Sequence, residues 1–179
     1  MNFYRCLICG DVYVGTELPT HCPFCGAPAK KYMVEAKDWV DENREIQNLS
    51  DTSRRNLKAA LQLEANNAPF YRDAYAKSGN IELQGIFKCL AKIEAEHASV
   101  IKKILKCEPP PPQEGKGIAL ESDIENLKAA HKREVSATAF YKKAANEAGE
   151  PRVKKVFTAL SEIETDHIEL EEQLIRKYE

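Results

Sequence analysis

Displaced by 70 residues, the chain falls on itself without a gap. Leu57-Lys58-Ala59-Ala60 meets Leu127-Lys128-Ala129-Ala130, and Phe70-Tyr71 meets Phe140-Tyr141. Phe87, Leu90 and Ile93 meet Phe157, Leu160 and Ile163. Glu64 meets Glu134, Glu94 meets Glu164, and His97 meets His167. Within each copy Ala, Leu, Glu and Lys dominate at helical spacing and Gly is scarce, so each copy reads as two helices. A helical hairpin that occurs twice predicts a pseudo-two-fold four-helix bundle.

The bundle is expected over residues 50–179, with helices at about 53–77, 81–106, 122–148 and 151–178. Ser78-Gly79 suits the end of the first, and Pro69 inside it predicts a kink or a bulge. Ser122-Asp-Ile-Glu125 is a capping box, and Pro151 suits the first position of the last helix. Residues 107–121 carry Pro109–Pro112 and join the hairpins. Some fourteen extended residues reach roughly 43 Å at about 3.1 Å each. A helix of about 27 residues is roughly 40 Å long, so this segment can run the length of the bundle as a crossover.

Glu94-Ala-Glu-His97 and Glu164-Thr-Asp-His167 are both Glu-x-x-His, a spacing that stands both side chains on one helix face. One such motif is ordinary on Glu-rich helices. Here each lies 30 residues after another Glu, Glu64 or Glu134, that sits mid-helix among apolar residues. Four unpaired carboxylates are costly to bury, and two divalent cations would neutralise them. One Glu from each of two helices and Glu-x-x-His from the other two is the di-iron carboxylate pattern. The remaining 17 of the 21 Glu read as solvated helix surface. His131, one turn before Glu134, reads as a partly exposed helix residue.

Ahead of the repeat, Cys6-Leu-Ile-Cys9-Gly10 and Cys22-Pro-Phe-Cys25-Gly26 form two knuckles. Each CxxC turn aims two thiolates at one ion, and the following Gly can take the positive φ such a turn favours. Together they predict a closed tetrahedral site for Fe or Zn, which these residues alone do not distinguish. Residues 1–35 thus read as a small β/turn metal domain whose core is too small to fold without its ion, and 36–49 as a linker. Cys89 and Cys107 are too far apart on one helix to bridge and read as buried or partly buried free thiols.

Composition sets the outer limits. The chain has 179 residues, 43% hydrophobic and 30% charged, with a net charge of −2. That suits a packed core and argues against a nucleic-acid binder, which needs a net basic surface or a dense basic stripe. Without a membrane-length apolar run or a signal-peptide core, the expectation is a soluble cytoplasmic protein.

On these motifs the chain resembles the rubrerythrins, ferritin-like di-iron proteins joined to a rubredoxin-like domain. The likeness covers nearly the whole chain, residues 1–35 and about 50–178, in the "reverse" order with the four-cysteine domain first. It implies a mostly α fold, a ferritin-like bundle with a small N-terminal rubredoxin-like domain. It implies one iron on Cys6, Cys9, Cys22 and Cys25. It also implies two irons in the bundle, bridged by Glu94 and Glu164 and completed by Glu64, Glu134, His97 and His167. Tyr71 and Tyr141 would hydrogen-bond the ligand carboxylates, or simply pack the core. Peroxidase rubrerythrins carry a further Glu where this chain has Ala137, which puts their redox-linked ligand exchange in doubt here.

The implied activity is reduction of hydrogen peroxide, or of dioxygen, to water, with electrons relayed through the Cys₄ iron. The donor would be an NAD(P)H-dependent reductase, directly or through a rubredoxin. The other readings are a ferroxidase or iron-storage protein, and a zinc-holding scaffold. A homodimer is expected, with the crossover either swapping a hairpin into the partner or closing it on its own chain. A head-to-tail dimer would bring the two kinds of metal site together.

Overall fold

Four polar residues set where the long helices begin and end. Ser50 Oγ accepts from Ser53 N at 3.2 Å and starts α2, Asp51–Lys77. Asn80 Oδ1 accepts from Glu82 N and Leu83 N and starts α3, Ile81–Leu105. Ser122 Oγ accepts from Glu125 N at 3.4 Å ahead of α4, Asp123–Glu147, and Pro151 opens α5, Pro151–Tyr178. Lys106 closes α3 in the left-handed conformation, φ 54°. The computed structural model describes residues 1–179, and these labels follow three strands and a short helix in the N-terminal unit: β1 Asn2–Cys6, β2 Val12–Gly15, α1 Ala29–Tyr32 and β3 Met33–Glu35. The fold is mostly helical, as expected, with a small N-terminal sheet.

Each helix pair packs as a hairpin, and α2 and α4 pack between the pairs. The inward stripe of α2 is Leu57, Ala60, Leu61, Glu64, Ala68, Tyr71 and Ala74, all buried. On α4 the equivalent stripe is Leu127, Ala130, Glu134, Ala137, Tyr141 and Ala144. Burying a Leu or Phe contributes about 1.5–3 kcal/mol, so such stripes supply the drive to assemble. Pro69 leaves α2 one continuous helix rather than two. The crossover closes on its own chain and follows α2. Gln62 Nε2 donates to Pro111 O, Asn66 and Gln113 exchange hydrogen bonds, and Ala119 N donates to Asp73 Oδ2 at 2.8 Å. A Cβ on Gly117 would sit 3.0 Å from Pro69 Cβ, so the strand of chain lies tight against the helix.

In the N-terminal unit, β1 pairs antiparallel with β2 and with β3. Its buried residues, among them Cys6, Ile8, Cys25 and Tyr32, join one hydrophobic core with Ile101, Phe157 and Ile163 of the bundle. The two units are therefore packed together within one chain.

Three expectations change. Cys89 and Cys107 are exposed. Cys89 lies on the outer face of α3, whose inward positions are Phe87 and Leu90, and Cys107 lies beyond the helix end. Glu171, assigned to the solvated surface, is fully buried. His131 is half-buried, as expected, with Nε2 3.4 Å from Glu172 Oε1. No helix is long and apolar enough to cross a membrane.

Candidate metal centres

The two knuckles bring all four thiols together, each buried. Gly10 and Gly26 take φ of +88° and +78°, where a Cβ would be strained. Cys6 Sγ lies 3.8 Å from Cys25 Sγ, and Cys9 Sγ lies 3.8 Å from Cys22 Sγ. A tetrahedral ion with metal–sulfur bonds of about 2.3 Å has edges of about 3.8 Å, so the spacing fits. Ile8 N and Asp11 N point at Cys6 Sγ and Cys9 Sγ, at 3.3 and 3.5 Å, as donors to thiolate charge. The site suits a rubredoxin-like iron.

In the bundle, Glu64, Glu94, His97 and Glu164 place one ligand atom each within 4.8 Å of one another. Glu94, Glu134, Glu164 and His167 do the same, so Glu94 and Glu164 belong to both groups. All six are buried. No Lys or Arg pairs with any of these carboxylates; their only charged partners are His97 and His167. Glu64 Oε2, Glu134 Oε2, both oxygens of Glu94 and Glu164, and Nδ1 of both histidines lack a hydrogen-bond partner. Buried polar atoms are normally satisfied, so this convergent set is missing its counter-charge. Two divalent cations fit it, and the cluster fits a di-iron site.

Protons fill part of that role without metal. Burial, then the neighbouring Glu94, pushes the carboxyls of Glu64 and Glu134 well above the usual range. Burial also pushes Glu164 up, but the imidazoles of His97 and His167 outweigh it and hold its carboxyl at about 2. Burial disfavours the charged His97, yet Glu164 beside it outweighs that and raises its pKa well above the ordinary value. The site thus keeps near neutrality by sharing protons among acids and imidazoles.

Tyr71 and Tyr141 cross between the repeats. The Tyr141 hydroxyl donates to Glu64 Oε1, and the Tyr71 hydroxyl lies 2.5 Å from Glu134 Oε1. Tyr71 also lies 2.7 Å from Glu171 Oε1. One hydroxyl proton cannot serve two carboxylate acceptors, so a second proton resides in this trio. Burial raises the Glu171 carboxyl to about 8, consistent with its holding that proton. Glu171 escaped the sequence reading because its repeat partner is Ile101, also buried. The available signal was spacing: Glu164, His167 and Glu171 share one face of α5. Ala137 leaves α4 without the extra family Glu, and α5 supplies a fifth buried carboxyl instead.

The two centres meet directly. His97 Nε2 lies 2.9 Å from the backbone carbonyl of Cys25. A carbonyl only accepts, so Nε2 carries the hydrogen and Nδ1 faces the carboxylates. Within one chain the four-cysteine site thus already lies beside the bundle site. The compact packing of the N-terminal unit on its own α3 and α5 is the reason.

Comparisons with known proteins follow this division. The family model "Rubrerythrin, rubredoxin-like domain" matches residues 4–33, and the model "Rubrerythrin" matches residues 125–179. The chain thus resembles the rubrerythrins in both of its units, a rubredoxin-like segment followed by a rubrerythrin segment. Among curated proteins the chain is 32% identical to reverse rubrerythrin-1 of Clostridium acetobutylicum over 115 residues. That alignment covers 59% of this chain and 62% of the relative, so the chain spans less than two thirds of the curated relative it matches. A solved structure, a hypothetical protein from Pyrococcus furiosus, superposes with a TM-score of 0.60 at 20% identity. It covers 75% of this chain and 93% of its own, and shows the shared fold.

Proposed function

We propose that this chain is a peroxidase of oxidative-stress defence, which reduces hydrogen peroxide, and secondarily dioxygen, to water. The observation that carries the reading is the hydrogen bond from His97 to the Cys25 carbonyl, which joins a one-electron site to a two-metal site. Cys6, Cys9, Cys22 and Cys25 would hold one iron. Glu64 with His97, and Glu134 with His167, would hold one iron each, with Glu94 and Glu164 shared between them. Bound iron would supply the redox chemistry, two electrons for the O–O bond from the pair and single electrons from the four-cysteine site.

The protein supplies the rest. Its carboxylates and imidazoles are pre-positioned in a dry bundle, so no solvent has to be displaced around them during reaction. Tyr141 holds a proton at Glu64 Oε1, and Tyr71 holds one at Glu134 Oε1. Both hydroxyls touch ligand carboxylates and are candidates for proton transfer to departing oxygens. The His97 ring spans from the carboxylate cluster to the Cys25 backbone, giving an electron a short route of covalent and hydrogen bonds. Because the four-cysteine site is closed, it takes no substrate. We assign its refilling to an NAD(P)H-dependent reductase, directly or through a rubredoxin, and place the chain in the cytoplasm as a homodimer.

Iron-loaded protein, reduced with dithionite under argon and then titrated with peroxide, tests this. The thiolate-to-iron bands should bleach on reduction and return as peroxide is consumed. A colourless protein with stoichiometric zinc would refute it. Iron storage gives the four-cysteine unit no task, and a particle of about twenty-four subunits on size exclusion would favour storage instead.

A further inference from the structure

Every backbone carbonyl of the first knuckle, residues 6–10, accepts from a side chain outside it. Trp39 Nε1 donates to Cys6 O at 3.0 Å, and Lys103 Nζ donates to Cys9 O at 3.2 Å. Arg152, on α5 and only 6% exposed, donates from Nη1 to Leu7 O at 2.6 Å and from Nη2 to Ile8 O at 2.8 Å. Arg5 Nε donates to Gly10 O at 2.6 Å while its guanidinium lies 3.5 Å from the Trp39 ring centroid. The second knuckle has no such collar; its one side-chain contact of this kind is His97 on Cys25 O.

Two of these carbonyls belong to the peptide groups whose N–H points at a thiol. The Leu7–Ile8 peptide takes Arg152 on its oxygen and gives its N–H to Cys6 Sγ. The Gly10–Asp11 peptide takes Arg5 on its oxygen and gives its N–H to Cys9 Sγ. A cation on the carbonyl polarises the amide, and linked hydrogen bonds strengthen one another. Through-space charge alone is nearly balanced here. Glu42 faces both Arg152 and Lys155, Asp41 faces Arg44, and Asp11 and Glu96 each bring a carboxylate within 4.8 Å of Cys9 Sγ.

We propose that Arg152 and Arg5 are positioning residues for the Cys₄ iron, each acting through one peptide group to strengthen an N–H···S bond. Four thiolates with ferric iron carry one negative charge, and with ferrous iron two. Stronger donors to sulfur therefore favour the reduced form, which gains one electron and breaks no bond. The two arginines thus raise the site's tendency to accept the electron that it later passes toward His97. The inference rests on the four-cysteine site holding redox-active iron and not on the peroxide chemistry.

The test is a dithionite titration of iron-loaded, full-length protein with redox mediators, following the thiolate-to-iron bands. Arg152→Gln and Arg5→Gln should each lower the reduced-to-oxidised ratio, at the wild-type midpoint, by about threefold to tenfold. A tenfold change corresponds to about 59 mV for a one-electron couple. Arg152→Lys, which keeps charge but loses the two-pronged contact, should fall between. Arg44→Gln removes a neighbouring cation that bonds no knuckle carbonyl and should leave the ratio within twofold. If Arg152→Gln fails to fold, Arg5→Gln on the more exposed side still decides. Iron-loaded variants within twofold of wild type, or an Arg44→Gln shift as large as that of Arg5→Gln, would overturn the relay. A wild-type site that refuses iron would sink both this inference and the electron-supply part of the proposed function.

Discussion

Glutamine at position 171 should make the metal-free protein less sensitive to pH. An unfolded glutamate titrates near 4.5, whereas burial holds the folded Glu171 at about 8. Between those values the unfolded chain gains a solvated charge that the folded chain refuses. Stability from this carboxyl is thus fully present below pH 4.5 and is lost as pH rises toward 8. At about 1.4 kcal/mol for each unit, the loss by pH 7 is on the order of 3 kcal/mol, most of it above pH 5. Glu171→Gln stays neutral, keeps a group to meet the Tyr71 hydroxyl, and should not suffer that loss. Urea unfolding of chelator-treated protein at pH 5 and pH 7 measures it. With an m value of about 2 kcal/mol per molar urea, the gap between the two proteins should widen by about 1 M between these pH values. Glu134, which shares the Tyr71 hydroxyl, is relieved of an acidic neighbour in the variant and moves the same way; acids with no coupling to Glu171 cancel. If the two curves run parallel from pH 5 to pH 7, Glu171 does not hold the extra proton of the trio.

Other outcomes follow from the same geometry. Gly26→Ala combines a positive φ with a Cβ 3.1 Å from Ile163 Cγ2, and should cost about 1–3 kcal/mol in denaturant unfolding. Tyr141→Phe leaves Glu64 without its donor; thermal unfolding of the metal-free protein should show a loss of about 1–2 kcal/mol, and metal analysis should show slower or lower bundle loading than wild type. Adding Fe²⁺ or Zn²⁺ anaerobically to chelator-treated protein should raise the melting temperature. A free concentration of about 1,000 times the dissociation constant stabilises by about 4 kcal/mol, readable by calorimetry. Glu164→Ala, which removes a member of both ligand groups, should lower bundle metal uptake while leaving the Cys₄ stoichiometry intact, as separate metal analyses would show.

Repetition made the bundle legible. Six side chains that recur at a fixed displacement on helical stripes point inward together, and the structure gathers those six. Sequence periodicity also carries capping, so Ser122 and Pro151 sit at helix starts. What it missed breaks the repeat. Glu171 has Ile101 as its counterpart, and only its spacing from His167 marked it. Arg152 looks like any charged residue in the first turn of a helix, and nothing local shows that two backbone carbonyls of a distant segment await it. The contact between His97 and Cys25 joins an imidazole to a backbone carbonyl 72 residues away, an acceptor that side-chain pattern does not encode. Cys89 and Cys107 went the other way, since a cysteine's general tendency to be buried says less than its place, on an outer helix face for Cys89 and past the helix end for Cys107.

The crossed tyrosines bear on the order in which this protein matures. Glu64, from the first hairpin, is steadied by a hydroxyl from the second, and Glu134 by one from the first. Neither hairpin alone can orient its own carboxylate. Metal uptake in the bundle is then a late event in folding, available once the hairpins have docked, and stoichiometric loading reports assembly as much as affinity.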